Sequence, residues 1–179
     1  QTSADLDYAS ISALTAGGSV KDDAGNDATL TLPAVGSAGS ISFNQDIIID
    51  TTSPSVASDV AIDQGNNHDT NAITISFTSG TDINTVSHRV KACNDDSCST
   101  GCVGEIDSGS TTTGTVTGLL DATSYFACVQ TIDAAGNLAA YTASAGTVAI
   151  DLTAATVVSV NSAETGTYFK AGDSIALVV

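Results

Sequence analysis

Short runs in which apolar and polar residues alternate recur along the chain, separated by clusters of Gly, Asn, Asp and Ser, and the period of an amphipathic helix is almost absent. Ala72-Ile-Thr-Ile-Ser-Phe77 shows the pattern most clearly. Ile73, Ile75 and Phe77 fall on one face and Thr74 and Ser76 on the other, as in a strand with one buried side. Strands are expected near 56–62, 72–78, 85–93, 99–106, 112–118, 124–132 and 143–150, joined by turn-rich loops. That set is enough for a complete β-sandwich.

The stretches on either side hold less. Residues 1–50 offer Leu6-Asp-Tyr8, a short run at Gly18-Ser-Val20, Ala28-Thr-Leu-Thr-Leu32 and, after a Pro33-to-Gly39 loop, Ser40 to Ile49. Residues 152–179 offer Thr156-Val-Val-Ser-Val160, a turn at Glu164-Thr-Gly-Thr, and Asp173 to Val179. Neither amounts to the roughly seven strands of a sandwich. The same punctuation is written twice: Asp22-Asp-Ala-Gly-Asn26 precedes Ile49-Asp50-Thr-Thr, and Asp133-Ala-Ala-Gly-Asn137 precedes Ile150-Asp151-Leu-Thr153. A turn, a last strand and an Ile-Asp-x-Thr linker in repetition imply a tandem array. About 100 residues separate Asp50 from Asp151, the size of one immunoglobulin-like sandwich.

Leu119 to Asn137, with Gly118-Leu119 before a corner, Tyr125 at the corner, inward Ala127 and Val129 and a turn after Asp133, resembles the E–F corner and F strand of a fibronectin type III domain. Val86 to Ala92 fits strand C, and Phe77 stands where strand B usually carries Trp. The flanks resemble the bacterial immunoglobulin-like units strung together in large secreted adhesins and surface proteins. A unit's opening reads like Val157 to Leu177, and its ending like Thr2 to Asp50. The expected fold is therefore all-β, made of tandem immunoglobulin-like and fibronectin type III-like sandwiches with incomplete units at both ends. Residues 1–50 are the C-terminal part of one unit, 51–151 a complete sandwich, and 152–179 the first strands of another. The open units are completed either by more of a longer polypeptide or by strand exchange between copies, head to tail.

The four cysteines, Cys93, Cys98, Cys102 and Cys128, are even in number and clustered, which favours two disulfides and an oxidising compartment over a four-thiolate zinc site. With strands C and F adjacent in the resembled fold and both Cys93 and Cys128 facing outward, the favoured pairing is Cys93–Cys128 with Cys98–Cys102. The alternative, Cys93–Cys98 with Cys102–Cys128, needs the loop to fold over strand C. In the resembled adhesins, acidic groups at unit junctions bind calcium. The resemblance implies such a role for Asp50, Asp133, Asp151 and Asp22, although an Asp-x-x-Gly-Asn turn is also satisfied by bonds to its own backbone. Asp63 to Asp69 looks ligand-like but lacks the acidic last position of an EF-hand loop.

Charge narrows the partners. Four Lys and Arg against 20 Asp and Glu give a net charge of −16, which leaves little to meet a phosphate backbone or an anionic membrane. No apolar run is long enough to span a bilayer, and the first residues lack the pattern of a signal peptide. His68 and His88 have no nucleophile and orienting carboxylate at recognisable spacing, and no pair of acids is singled out, so no enzymatic activity is expected. What the resemblance implies is a structural or adhesive segment of a secreted, cell-surface or filament protein. Its partners are adjoining repeats, copies of itself or a cell-surface or glycan receptor. The alternative is a carbohydrate- or ligand-binding module of a secreted enzyme, which calls for exposed aromatic residues where the chain has only 4 Tyr and 4 Phe.

Overall fold

The computed structural model describes residues 5–64, 67–82, 84, 86–162, 171 and 177–178. The alternating runs form strands β1 (Ser58–Ile62), β3 (Ala72–Thr78), β4 (Val86–Cys93), β5 (Val103–Gly109), β6 (Thr113–Thr117), β7 (Thr123–Asp133) and β8 (Thr142–Ile150), with a two-residue strand β2 at Asn67–His68. One sheet has the order β1-β3-β6 and the other β2-β8-β7-β4-β5. All neighbours are antiparallel except β2, which pairs in parallel with β8. The facing sides supply one core from Ile73, Ile75, Phe77, Val90, Val116, Leu119, Tyr125, Val129, Val148 and Ile150. The chain is thus all-β with a sandwich at its centre.

Strand β7 is buried on both faces, which the alternation alone does not require. Tyr125, Ala127, Val129, Thr131 and Asp133 point between the sheets. On the outer side Cys128 lies under the loop that joins β4 to β5, and Gln130 Nε2 donates to the Ala139 carbonyl at 2.8 Å. This covering loop displaces one expected strand: β5 begins at Val103 rather than near residue 99, because residues 94–102 are tied down over β4 and β7.

The disulfides correct the expected pairing. They join Cys93 to Cys102 and Cys98 to Cys128. Register explains why. Cys93 lies opposite Phe126 and Cys128 opposite Lys91, so the two cysteines share a face but stand diagonally, two residues apart along the ladder. Diagonal neighbours are about 7–8 Å apart, beyond the Cα separation a disulfide spans. The loop instead brings Cys98 over β7, where its Cα is 5.9 Å from that of Cys128. Asp95 organises the loop by accepting from the backbone of Ser99 and Thr100, both at 3.0 Å, and from the hydroxyls of Ser97 and Ser99. The hydroxyl bonds, first of all, hold its carboxyl well below the usual carboxylate range.

The flanks depart from expectation. Ser40 to Ile49 is not a strand. Ser40 caps the one-turn helix α1 (Ile41–Asn44), its hydroxyl accepting from Phe43 N; Gln45 turns to extended backbone and residues 46–49 follow without regular structure. Gly18–Val20, Ala28–Leu32 and Thr156–Val160 likewise lie outside regular strands. A stretch with strand-like alternation becomes a strand only where a neighbour completes its ladder. Among the described residues 5–49 the pairing shows isolated contacts, such as Leu6 N to Ile47 O, Ala28 N to Val20 O, Leu32 N to Ile11 O and the single bridge of Lys21 with Asp27. At the other end β9 (Asn161–Ser162) pairs with β10 (Leu177–Val178), while the expected turn at Glu164 falls outside the described residues.

Candidate functional site

Both linkers are gripped by the sandwich, one at each pole. At the pole where β7 ends, Asp133 closes a turn whose geometry follows from its sequence. Asp133 N donates to Asn137 O at 3.1 Å, Gly136 N to Asp133 O at 3.1 Å, and Asn137 gives its backbone and side-chain N–H groups to the Asp133 carboxylate, each at 2.8 Å. Gly136 supplies the positive φ, 90°, that the turn needs. Asn137 Nδ2 also donates to the main-chain carbonyl of Asp50 at 3.0 Å. Asn84 Nδ2, from the loop between β3 and β4, donates to the Asp50 carboxylate at 2.8 Å, and Thr52 N to its other oxygen at 3.0 Å. Ser55 then locks onto Thr81 by a reciprocal pair at 3.0 and 2.7 Å. Gly80 permits this close approach, since a Cβ there would lie 2.0 Å from the Ser55 carbonyl.

At the opposite pole the outgoing linker is held differently. Asp151 N donates to His68 O at 2.9 Å, which explains the parallel pairing of β2 with β8. The Asp121 carboxylate accepts from Leu152 N at 2.7 Å and from the Thr153 hydroxyl at 3.0 Å. Those two bonds, that from Leu152 foremost, lower the Asp121 pKa. Thr153 N donates to the Asp151 carboxylate at 3.1 Å, the same local turn as Thr52 on Asp50.

Of the four acidic residues singled out for calcium, two come together. Asp50 and Asp133, with Asp82 from the loop between β3 and β4, each bring a carboxylate oxygen within 4.8 Å of the others. Asp151 stands at the far pole beside His68 and Asp69. Asp22 lies in the N-terminal segment, where Asn26 donates to both of its oxygens at 2.9 Å and thereby lowers its pKa. A second grouping, Cys93, Asp95 and Cys102, has its two sulfurs bonded to each other. Asp82, Asn84 and Asp121 have no local motif and reach their partners across 31 to 34 residues or by loop convergence, so sequence alone gives no sign of them. Among the described residues, no helix is long and apolar enough to cross a membrane. His88 is buried in the core, Nδ1 donating to Gly109 O at 3.1 Å, Nε2 bonded to Ser79 at 2.9 Å and the ring edge-on to Phe77.

No protein-family model matches the sequence, and no curated protein matches it. Among solved structures the chain is similar to domains d3–d4 of the rat CD45 extracellular region at 15% identity and a TM-score of 0.44, covering 58% of this chain and 56% of that one. It is similar to the fibronectin type III domain of human collagen α1(XX) at 15% identity and a TM-score of 0.42, covering 62% and 98%. The fourth fibronectin type III domain of a human protein gives 17% identity and a TM-score of 0.43, covering 62% and 92%. The sheet order β1-β3-β6 against β8-β7-β4-β5 and the Tyr125 corner describe the central sandwich as fibronectin type III-like.

Proposed function

We propose that this chain is a structural and adhesive segment of a secreted surface or filament protein, in which copies complete one another's flanking units head to tail by strand exchange. The observation that carries this reading is the pinning of both linkers at opposite poles of one sandwich. Tension entering at Asp50 passes through Asn84, Asn137 and the ladder of β7 with β8 before leaving at Asp151. Two disulfides staple the loop between β4 and β5 over the outer face of β4 and β7 and suit an extracellular location. Ile48, Ile49, Val157, Val158 and Val160 are exposed, Val158 by 93%, and offer the apolar surface that a strand from a neighbour would cover. The chain acts without catalysis, its charge of −16 keeping neighbouring fibres apart. Size-exclusion chromatography with light scattering on the 179-residue chain tests the reading. Oligomers that grow with concentration are expected; a folded monomer at every concentration rejects strand exchange.

We further propose that calcium occupies the junction at Asp50, Asp82 and Asp133. Three carboxylates, from the incoming linker, the loop between β3 and β4 and the end of β7, suit a hard cation that takes oxygen ligands. A cation there would bind the linker to the sandwich. The melting temperature of chelator-treated protein should rise on adding calcium, and the rise should vanish in Asp82→Asn; an unchanged melting temperature rejects the metal.

A further inference from the structure

One chain carries two copies of each half of the linker joint, yet among the described residues a single joint is closed. The receiving half is the turn. Asp22 N donates to Asn26 O at 3.0 Å, Gly25 N to Asp22 O at 3.0 Å, and Asn26 gives both backbone and side-chain N–H groups to the Asp22 carboxylate at 2.9 Å. These bonds repeat those of Asp133, Gly136 and Asn137 atom for atom. The inserting half is the linker, where Thr153 on Asp151 repeats Thr52 on Asp50. In the closed joint the Asn137 amide spends its second N–H on the Asp50 carbonyl. Among the described residues, the Asn26 amide bonds only the Asp22 carboxylate, and no side chain donates to the Asp151 carbonyl. Asn26 and Asp151 are both exposed.

We propose that the Asp22–Asn26 turn receives the Asp151–Thr153 linker of a second copy of this chain, with the Asn26 side-chain amide donating to the Asp151 main-chain carbonyl. This inference rests on the head-to-tail reading above and names the contact that reading lacks. Within one chain, linker 151 is fixed by His68 and Asp121 at the pole remote from Asp50, with the length of β8, about 30 Å of strand, between the two ends. In the assembled joint the linker is gripped on both sides. Asp121 of one copy holds Leu152 and Thr153 from behind, and Asn26 of the next holds Asp151 from in front. Lys21 stands beside the receiving turn, its Nζ paired with the Asp27 carboxylate of its own chain and 3.2 Å from the Gly25 carbonyl, so the joint brings that amine close to Asp151 and Asp121 of the next copy as well.

The test is zero-length carbodiimide coupling of a mixture of unlabelled and 15N-labelled full chain, followed by mass spectrometry of linked peptides. Mixed-isotope pairs joining Lys21 to Asp151 or Asp121 are the expected result, and Asn26→Ala should reduce their yield about tenfold, the effect of one hydrogen bond. The wild-type linkage pattern decides even if the variant disturbs its own turn. Chains that associate while Lys21 couples between copies only to carboxylates other than Asp151 and Asp121, or couples only within single-isotope pairs, overturn this joint and leave strand exchange standing; coupling of Lys21 to Asp27 of its own chain is expected in either case. Absence of mixed-isotope pairs together with a monomeric mass overturns both.

Discussion

At the scale of the residue, two side chains illustrate how far local sequence reaches. Tyr125 was legible because its corner is local: Leu120 N donates to the Tyr125 hydroxyl at 3.2 Å, five residues away, and the preceding Gly118-Leu119 gives the pattern. Tyr125→Phe removes that acceptor and leaves a part-buried N–H unpaired. It should cost about 1–2 kcal/mol in urea unfolding without altering the sheet. Asp121 was not legible, because its partners Leu152 and Thr153 are 31 and 32 residues away and meet it only once β8 is in place. Its folded pKa lies below the unfolded value of about 3.9, so its contribution is present in full above roughly pH 4 and is lost as pH falls through the folded value. Hydrogen-exchange protection of the Leu152 amide should therefore hold from neutral pH to about pH 5 and fall below about pH 4, and Asp121→Ala should abolish it at every pH. Protection that persists in Asp121→Ala would show that the linker is held by something else.

At the scale of the element, strand positions followed from alternation because each central run has a neighbour to pair with and a core to face. The pairing of the cysteines did not follow. Outward direction is a property of one strand, whereas the distance between Cys93 and Cys128 depends on the register of two, and that register sets them diagonally. Peptide mapping without reduction should recover Cys93 with Cys102 and Cys98 with Cys128; a Cys93–Cys128 peptide would overturn the register described here. The bridges should differ in weight. Cys98–Cys128 closes 30 residues and Cys93–Cys102 only 9, so chain entropy assigns them about 3.6 and 2.6 kcal/mol. Replacing each pair by alanine and comparing denaturant midpoints should show the larger loss for the longer loop.

At the scale of the molecule, the repeated Asp-Ala-Gly-Asn turn was visible as a motif, and its task became visible only in three dimensions, where Asn137 takes the Asp50 carbonyl. In the flanks, strand-like pattern and structure part. Ser40 to Ile49 and Thr156 to Val160 have strand-like composition, but pattern supplies only one side of a ladder, and here the first holds a single helical turn followed by largely exposed chain and the second stands as irregular, exposed chain. Their exposed apolar residues are what a strand from a neighbouring copy would cover. The decisive measurement of that completion is electron microscopy of the native assembly, at a resolution that separates individual sandwiches. With strand exchange, each subunit boundary falls inside a sandwich shared by two chains. Boundaries lying only between sandwiches that each belong to one chain would contradict it.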